Sequence, residues 1–68
     1  MKISARNVLK GRVVAVKRGA VAAQVQVDIG GGHILTSMIT VDAADDLDLR
    51  EGPEVSVIIK STEVMVAR

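Results

Sequence analysis

The chain has no cysteine and no aromatic residue, and its 68 residues include one proline and one histidine. Without cysteine there are no disulfides and no thiolate metal ligands, and with His33 as the single histidine we predict no metal cation site. Without aromatic side chains, the core has to consist of valine, isoleucine, leucine, alanine and methionine. Such a core is thin for so small a domain, so we expect oligomerisation to supply further stability.

Long apolar runs are also missing, as are acidic residues in the first part of the chain. No stretch approaches membrane-spanning length and the N-terminus lacks an apolar signal-peptide segment, so we expect a cytoplasmic protein with no membrane partner. Most acidic residues fall between Asp42 and Glu54. All charged side chains before Asp28 are basic. This asymmetry can serve anion attraction, contact between subunits, or both. The early basic residues are Lys2, Arg6, Lys10, Arg12, Lys17 and Arg18.

Strand signals dominate the first half of the chain. The segment 9–16 is rich in β-formers, and Gly11 within it permits a bulge or a close backbone approach. Apolar residues alternate strictly over 21–29, which is the clearest strand pattern present. Three glycines at 30–32 suit a hairpin turn into a third strand over 33–39. These segments predict an antiparallel meander.

The second half predicts one helix and two more strands. Thr40 can cap a short helix that ends before Gly52 and Pro53, after which strands are predicted over 55–60 and 64–67. Met38 and Met65 are expected to fill gaps in the core. The layout predicts an all-β fold: a single small OB-type Greek-key barrel of about five strands with one short helix, formed by residues 1–68.

Two polar clusters lie near the chain ends. Ser4-Ala5-Arg6-Asn7 combines a hydroxyl, a small residue that lets backbone N–H groups approach a ligand, and a guanidinium with a fixed fork of donors. Lys60-Ser61-Thr62 adds an ammonium and two hydroxyls at the end of a predicted strand. Taken singly, the first is more typical of a solvated terminus and the second of a polar turn. Together, in a barrel, they favour a site for a small oxyanion.

These segments resemble the molbindin (Mop) family along the whole chain. The resemblance rests on the two clusters, with Leu9-Lys10-Gly11, Gly31-Gly32 before a strand ending Ile39-Thr40, and Glu51-Gly52 between them. It implies a small cytoplasmic molybdate-binding protein that forms a hexamer, a trimer of dimers, with oxyanions held between subunits. By position, the ligand-binding residues would be Ser4, Ala5, Arg6, Lys60 and Ser61, with Thr40 nearby.

The resemblance also implies a second kind of anion site near a threefold axis. Two places are candidates for it, and the sequence leaves the choice open. One is the turn formed by Lys17, Arg18, Gly19, Ala20 and Val21; the other is the turn formed by Gly31, Gly32 and His33. From the residues alone, the glycine turn is a hairpin and His33 an exposed residue at a strand start.

Three hypotheses for function follow. The first is a non-enzymatic protein that binds molybdate, and tungstate as well, for storage or homeostasis, without an organic cofactor. The second is an OB-type nucleic-acid-binding module, which the missing aromatics and the net charge of +1 make less favoured. The third is an assembly module without a ligand. We therefore predict a small oxyanion and further copies of this chain as partners, and no nucleic acid.

Overall fold

The computed structural model describes all 68 residues. Four antiparallel strands form one sheet in the order β3-β2-β1-β4. Since β4 returns beside β1 after the connection that contains the helix, the order is that of a Greek key, as predicted. None of the helices has the length and apolar character needed to cross a lipid bilayer. The elements are β1 (Asn7–Arg18), β2 (Ala22–Gly30), β3 (His33–Thr40), α1 (Val41–Asp46) and β4 (Glu54–Ile59), followed by a 3₁₀ turn (Ser61–Glu63).

Strand β1 organises the sheet because it pairs with two strands in succession. Its first half, up to Arg12, pairs with β4, and its second half, from Arg12 onward, pairs with β2. At Gly11 the neighbouring strand comes so close that an added β-carbon would lie 2.5 Å from Val27 Cγ1. The close approach expected for this glycine is therefore confirmed, while the irregularity in β1 falls between Val13 and Ala15 instead.

The core is small and consists only of aliphatic side chains. Only 7 of 68 residues are buried, which is the thin core that the missing aromatics predicted. The residues that line its open apolar cavity, ≈ 200 Å³ in volume, come from all four strands and the loop after α1. The buried cluster comprises Val13, Ala23, Val25, Val27, Ala44 and Leu49.

The predicted helix forms where Thr40 begins it. The Thr40 Oγ1 atom accepts a hydrogen bond from the Ala43 backbone N–H at 3.0 Å, so the capping role is confirmed. Beyond the helix, Arg18 holds the following loop against the end of β1. Its guanidinium lies 2.6 Å from Asp45 Oδ1 and donates to the Leu49 carbonyl at 3.3 Å.

Two expectations about the chain's last part and its methionines are wrong. Residues 64–67 form no strand, because no hydrogen-bonding partner strand lies beside them, so the sheet has four strands and not about five. Strands β3 and β4 consequently remain edges, and hydrogen bonds do not close the barrel within one chain. Met38 and Met65 are 75% and 94% exposed, so neither fills the core.

Candidate functional site

The two polar clusters meet because β1 and β4 are paired at their outer ends. Asn7 lies opposite Ile59 in the antiparallel register. Its side-chain Nδ2 also donates to the Ile59 carbonyl at 3.1 Å. The residues just before Asn7 and just after Ile59 therefore leave the sheet at the same place. Residues so distant in sequence come together here through this strand pairing, which no local sequence pattern predicts.

Five residues line an open depression at this end of the sheet, ≈ 200 Å³ in volume: Ser4, Ala5, Lys60, Ser61 and Thr62. The Ala5 side chain is buried, whereas the other four residues are exposed. The structure therefore brings together four of the predicted ligand residues and adds Thr62. Thr62 was not among the predicted ligand residues. The sequence signal that could have identified it is its place in the Lys60-Ser61-Thr62 cluster.

The 3₁₀ turn shapes the C-terminal side of the depression. The Glu63 N–H donates to the Lys60 carbonyl at 2.9 Å, and the Val64 N–H donates to the Ser61 carbonyl at 3.4 Å. This tight turn keeps Ser61 and Thr62 at the surface, where their hydroxyl groups are exposed. On the opposite side lies Ala5, which is buried and whose side chain is small.

The chemistry of the depression suits an anion. Its five residues carry one positive charge, on Lys60, three hydroxyl groups and no carboxylate. An ammonium next to neutral donors can make short, charge-assisted hydrogen bonds to an oxyanion. Elsewhere in the structure, no group of three or more histidine, cysteine or acidic side chains could hold a metal ion.

Arg6 and Thr40 are not part of this depression in the single chain. Arg6 is exposed, and the ion pairs of the structure use Arg18 and Arg50 instead. Thr40 pairs with Ala22, at the end of the sheet where β1 finishes. β1 starts beside the depression and ends near Ala22 and Thr40, so the two places lie at opposite ends of this 12-residue strand. Thr40 therefore lies outside the depression that Lys60 lines.

The two candidate places for a second anion site lie at opposite ends of β2. The turn after β1 is exposed and is closed by a hydrogen bond of 2.8 Å from the Gly19 N–H to the Ala22 carbonyl. Within it the Arg18 guanidinium is already paired with Asp45, which leaves Lys17 as the free charge. The turn after β2 has positive φ angles at Gly31 and Gly32, as expected of a hairpin, and His33 is exposed beside it.

Fold and depression together define a small Greek-key protein with a surface site suited to an oxyanion. Residues 3–66 match the TOBE domain family. The chain is 54% identical over 66 residues to molybdenum-pterin-binding protein 3 of Clostridium pasteurianum, with 97% of each chain covered. It is similar to the solved molybdate-binding protein from Sporomusa ovata, with a TM-score of 0.93, 40% identity and 100% of both chains covered.

A further similar structure is that of the cytoplasmic molybdate-binding protein ModG with molybdate bound. The TM-score is 0.85 at 49% identity, over 90% of this chain and 43% of ModG. The chain therefore belongs to the TOBE-domain proteins and, within them, to the molbindin (Mop) family, whose OB-like fold it shares.

Proposed function

We propose that this protein binds molybdate, accepts tungstate as well, and catalyses no reaction. The observation that carries the proposal is the depression where polar residues from both ends of the chain meet around the Lys60 ammonium. The names of the relatives support the same ligand, since the similar protein from Sporomusa ovata and ModG are both molybdate-binding proteins. An organic cofactor has no role in this proposal.

The binding mechanism rests on direct hydrogen bonds to the tetrahedral anion. The Lys60 ammonium supplies charge, the hydroxyls of Ser4 and Ser61 donate without adding charge, and backbone N–H groups beside Ala5 reach the anion because that side chain is small. Thr62, which also lines the depression, offers a further hydroxyl donor. Exclusion of water by a neighbouring subunit would strengthen each of these interactions, because electrostatic attraction increases as the local dielectric falls.

The size of the site, and not its charge, would separate molybdate from sulfate. Both anions are dianions near neutral pH, so a lysine attracts them equally at long range. Molybdate has longer bonds to oxygen, and donors that fit its larger tetrahedron stand too far apart for sulfate. Tungstate has nearly the same dimensions as molybdate, which is why we propose it as a second ligand.

Neighbouring subunits complete the site in this proposal. Thr40 lies at the far end of the sheet, so it would reach the anion only from a second chain, whereas Arg6, which follows Ala5 and is exposed and free of ion pairs, is available to an anion in its own or a neighbouring chain. We propose a hexamer, arranged as a trimer of dimers, in which residues 1–68 form one Mop domain per chain. The thin core and the many exposed aliphatic side chains support assembly.

The proposed role is molybdenum storage and homeostasis in the cytoplasm.

A second anion site would lie near the threefold axis of the hexamer. Of the two candidate turns, the one containing Lys17 has a free ammonium group, whereas Arg18 in the same turn is paired with Asp45. The other candidate, at Gly31, Gly32 and His33, would offer backbone N–H groups at positive φ and an exposed imidazole.

Calorimetric titration tests the proposal, with native mass spectrometry to count bound anions and chains. Molybdate, tungstate, sulfate and a short single-stranded oligonucleotide are titrated separately in a buffer free of other oxyanions. We expect molybdate and tungstate to bind at micromolar concentrations and sulfate to bind much more weakly. No molybdate binding in that range would refute the proposal, and binding of the oligonucleotide alone would favour the nucleic-acid-binding alternative.

A further inference from the structure

Asn7 belongs to the N-terminal polar cluster but does not line the anion depression. Its half-buried carboxamide donates from Nδ2 to the Ile59 carbonyl at 3.1 Å, between residues 52 positions apart in the sequence. Of the side-chain hydrogen bonds in the structure, this one alone joins β1 to β4. A neutral amide makes this bond without placing a charge beside a bound dianion.

The bond lies at the point where both sides of the depression leave the sheet. Asn7 and Ile59 are the last facing pair of β1 and β4 at this end. Residues 1–6, here called the N-terminal arm, precede this pair, and residues 60–62, here called the C-terminal arm, follow it. The ends of paired strands are the parts that open most easily. A side-chain bond at the end pair therefore acts directly on the spacing between the two arms.

The N-terminal arm has few other attachments. None of the backbone hydrogen bonds outside the helices and strands involves residues 1–6, and none of the side-chain hydrogen bonds does. Ala5 is the one buried residue among the six. The C-terminal arm, in contrast, is held by the 3₁₀ turn that begins after Lys60. The placement of the N-terminal arm against Lys60 therefore depends on the packing of Ala5 and on the Asn7–Ile59 pair.

We propose that Asn7 is a positioning residue of the anion site: its bond to Ile59 holds the two arms at the spacing an oxyanion requires, without contacting the anion. The inference deepens the proposed function and rests on it. An anion held by both arms has to order them less when they are already joined, so more of the interaction energy appears as affinity. Removing the carboxamide should therefore weaken binding although every proposed ligand residue is still present.

A replaceable bond between the same two positions tests this inference. Asn7→Ala removes the carboxamide, and the double variant Asn7→Cys with Ile59→Cys puts a disulfide in its place when oxidised. Facing residues on antiparallel strands have Cα atoms about 4.5–5.5 Å apart, which is within disulfide reach. The natural chain has no cysteine, so no other disulfide can form within the chain. The matched control, Lys10→Cys with Ser56→Cys, joins facing positions of the same strands outside the depression.

Molybdate affinity is measured by calorimetry for each variant, with both cysteine pairs oxidised and then reduced and freed of reductant. We expect Asn7→Ala to bind about 2- to 12-fold more weakly than the parent, the range for one neutral hydrogen bond. The oxidised 7–59 pair should bind as the parent does and lose affinity on reduction, whereas reduction of the control pair should change nothing. Affinity equal to the parent in Asn7→Ala would overturn the inference. A loss that the 7–59 disulfide does not restore would also overturn it, because direct contact with the anion would then explain the loss.

NMR relaxation of the backbone amides, recorded without any anion, provides a readout that does not depend on binding. Asn7→Ala should lower the order parameters of Ser4 and Ala5 and leave those of β2 and β3 unchanged. Unchanged order parameters in both arms would overturn the positioning role. Circular dichroism establishes that each variant is folded. Should Asn7→Ala not fold, the oxidised and reduced forms of the 7–59 pair decide the question.

Failure of this inference is distinguishable from failure of the proposed function. If the parent bound molybdate and Asn7→Ala bound it equally well, the positioning role would be wrong and the proposed function would stand. If Asn7→Ala loosened the N-terminal arm but the parent did not bind molybdate, Asn7 would still hold the arms together and the proposed function would fall.

Discussion

Replacing Lys60 with alanine is the sharpest test of the proposed anion site. Of the five residues that line the depression, Lys60 alone carries a charge, so Lys60→Ala removes all of the charge that one chain contributes there. The side chain is exposed and forms no ion pair, so its loss leaves no buried partner unsatisfied and should leave the fold unchanged.

The expected loss of affinity follows from the type of hydrogen bond removed. A hydrogen bond to a charged group contributes about 1.5–3 kcal/mol, and each 1.4 kcal/mol changes a dissociation constant about tenfold. Lys60→Ala should therefore weaken molybdate binding by about 10- to 150-fold. The other proposed donors, the hydroxyls of Ser4 and Ser61, keep the loss from being complete, because their contacts do not depend on this lysine.

The assay is calorimetric titration with molybdate, with Lys10→Ala as the matched control. Lys10 is also an exposed lysine, and it lies opposite Ser56 in the sheet and outside the depression. Its removal changes the net charge by the same amount, while distant charges are largely screened beyond about 10 Å at 0.1 M salt. We expect the molybdate affinity of Lys10→Ala to stay within about twofold of the parent. This change is much smaller than the loss expected when a charged contact to the anion is removed. Equal losses in both variants, or none in Lys60→Ala, would refute the site.

Three further predictions concern other positions. Gly11→Ala should cost about 1–3 kcal/mol in urea denaturation, because its β-carbon would lie 2.5 Å from Val27 Cγ1. Gly19→Ala, whose nearest contact would be 3.1 Å, should cost clearly less, and the reverse order would contradict the packing argument. Thr40→Ala should cost about 1 kcal/mol by losing the helix cap, with Thr40→Ser close to the parent in the same assay. Arg6→Ala should weaken molybdate binding without changing the oligomer mass in native mass spectrometry; unchanged affinity would remove Arg6 from the proposed site.

Short-range patterns allowed much of the fold to be predicted. Strict alternation over 21–29 marked a strand that the structure forms as β2, and the glycines at 30–32 marked the hairpin that follows it. Thr40 marked the helix start through its capping hydroxyl. Such features depend on a few neighbouring residues, so they can be recognised without knowing the rest of the structure. The predicted first strand was too short, because β1 continues to Arg18 where Arg18 pairs with Ala23.

The same patterns misled where the outcome depended on a distant partner. Residues 64–67 have the composition of a strand, yet a strand forms only by pairing with another strand, and no strand of the sheet pairs with these residues. Met38 and Met65 resemble core residues by type, but their exposure depends on which face of the sheet, and which part of the chain, lies against solvent. Neither the presence of a partner strand nor the exposure of a side chain can be predicted from a few neighbouring residues.

For the proposed anion site, sequence by itself determined the chemistry: a lysine and hydroxyls near one end of the chain, with a small residue and further donors near the other. Only the tertiary structure decided which of them meet. The pairing of Asn7 with Ile59 brings Ser4 and Ala5 beside Lys60. The length of β1 places Thr40 at the opposite end of the same sheet. The physical reason is that strand register, which is fixed by pairing across the whole sheet, sets distances that residue types alone do not contain.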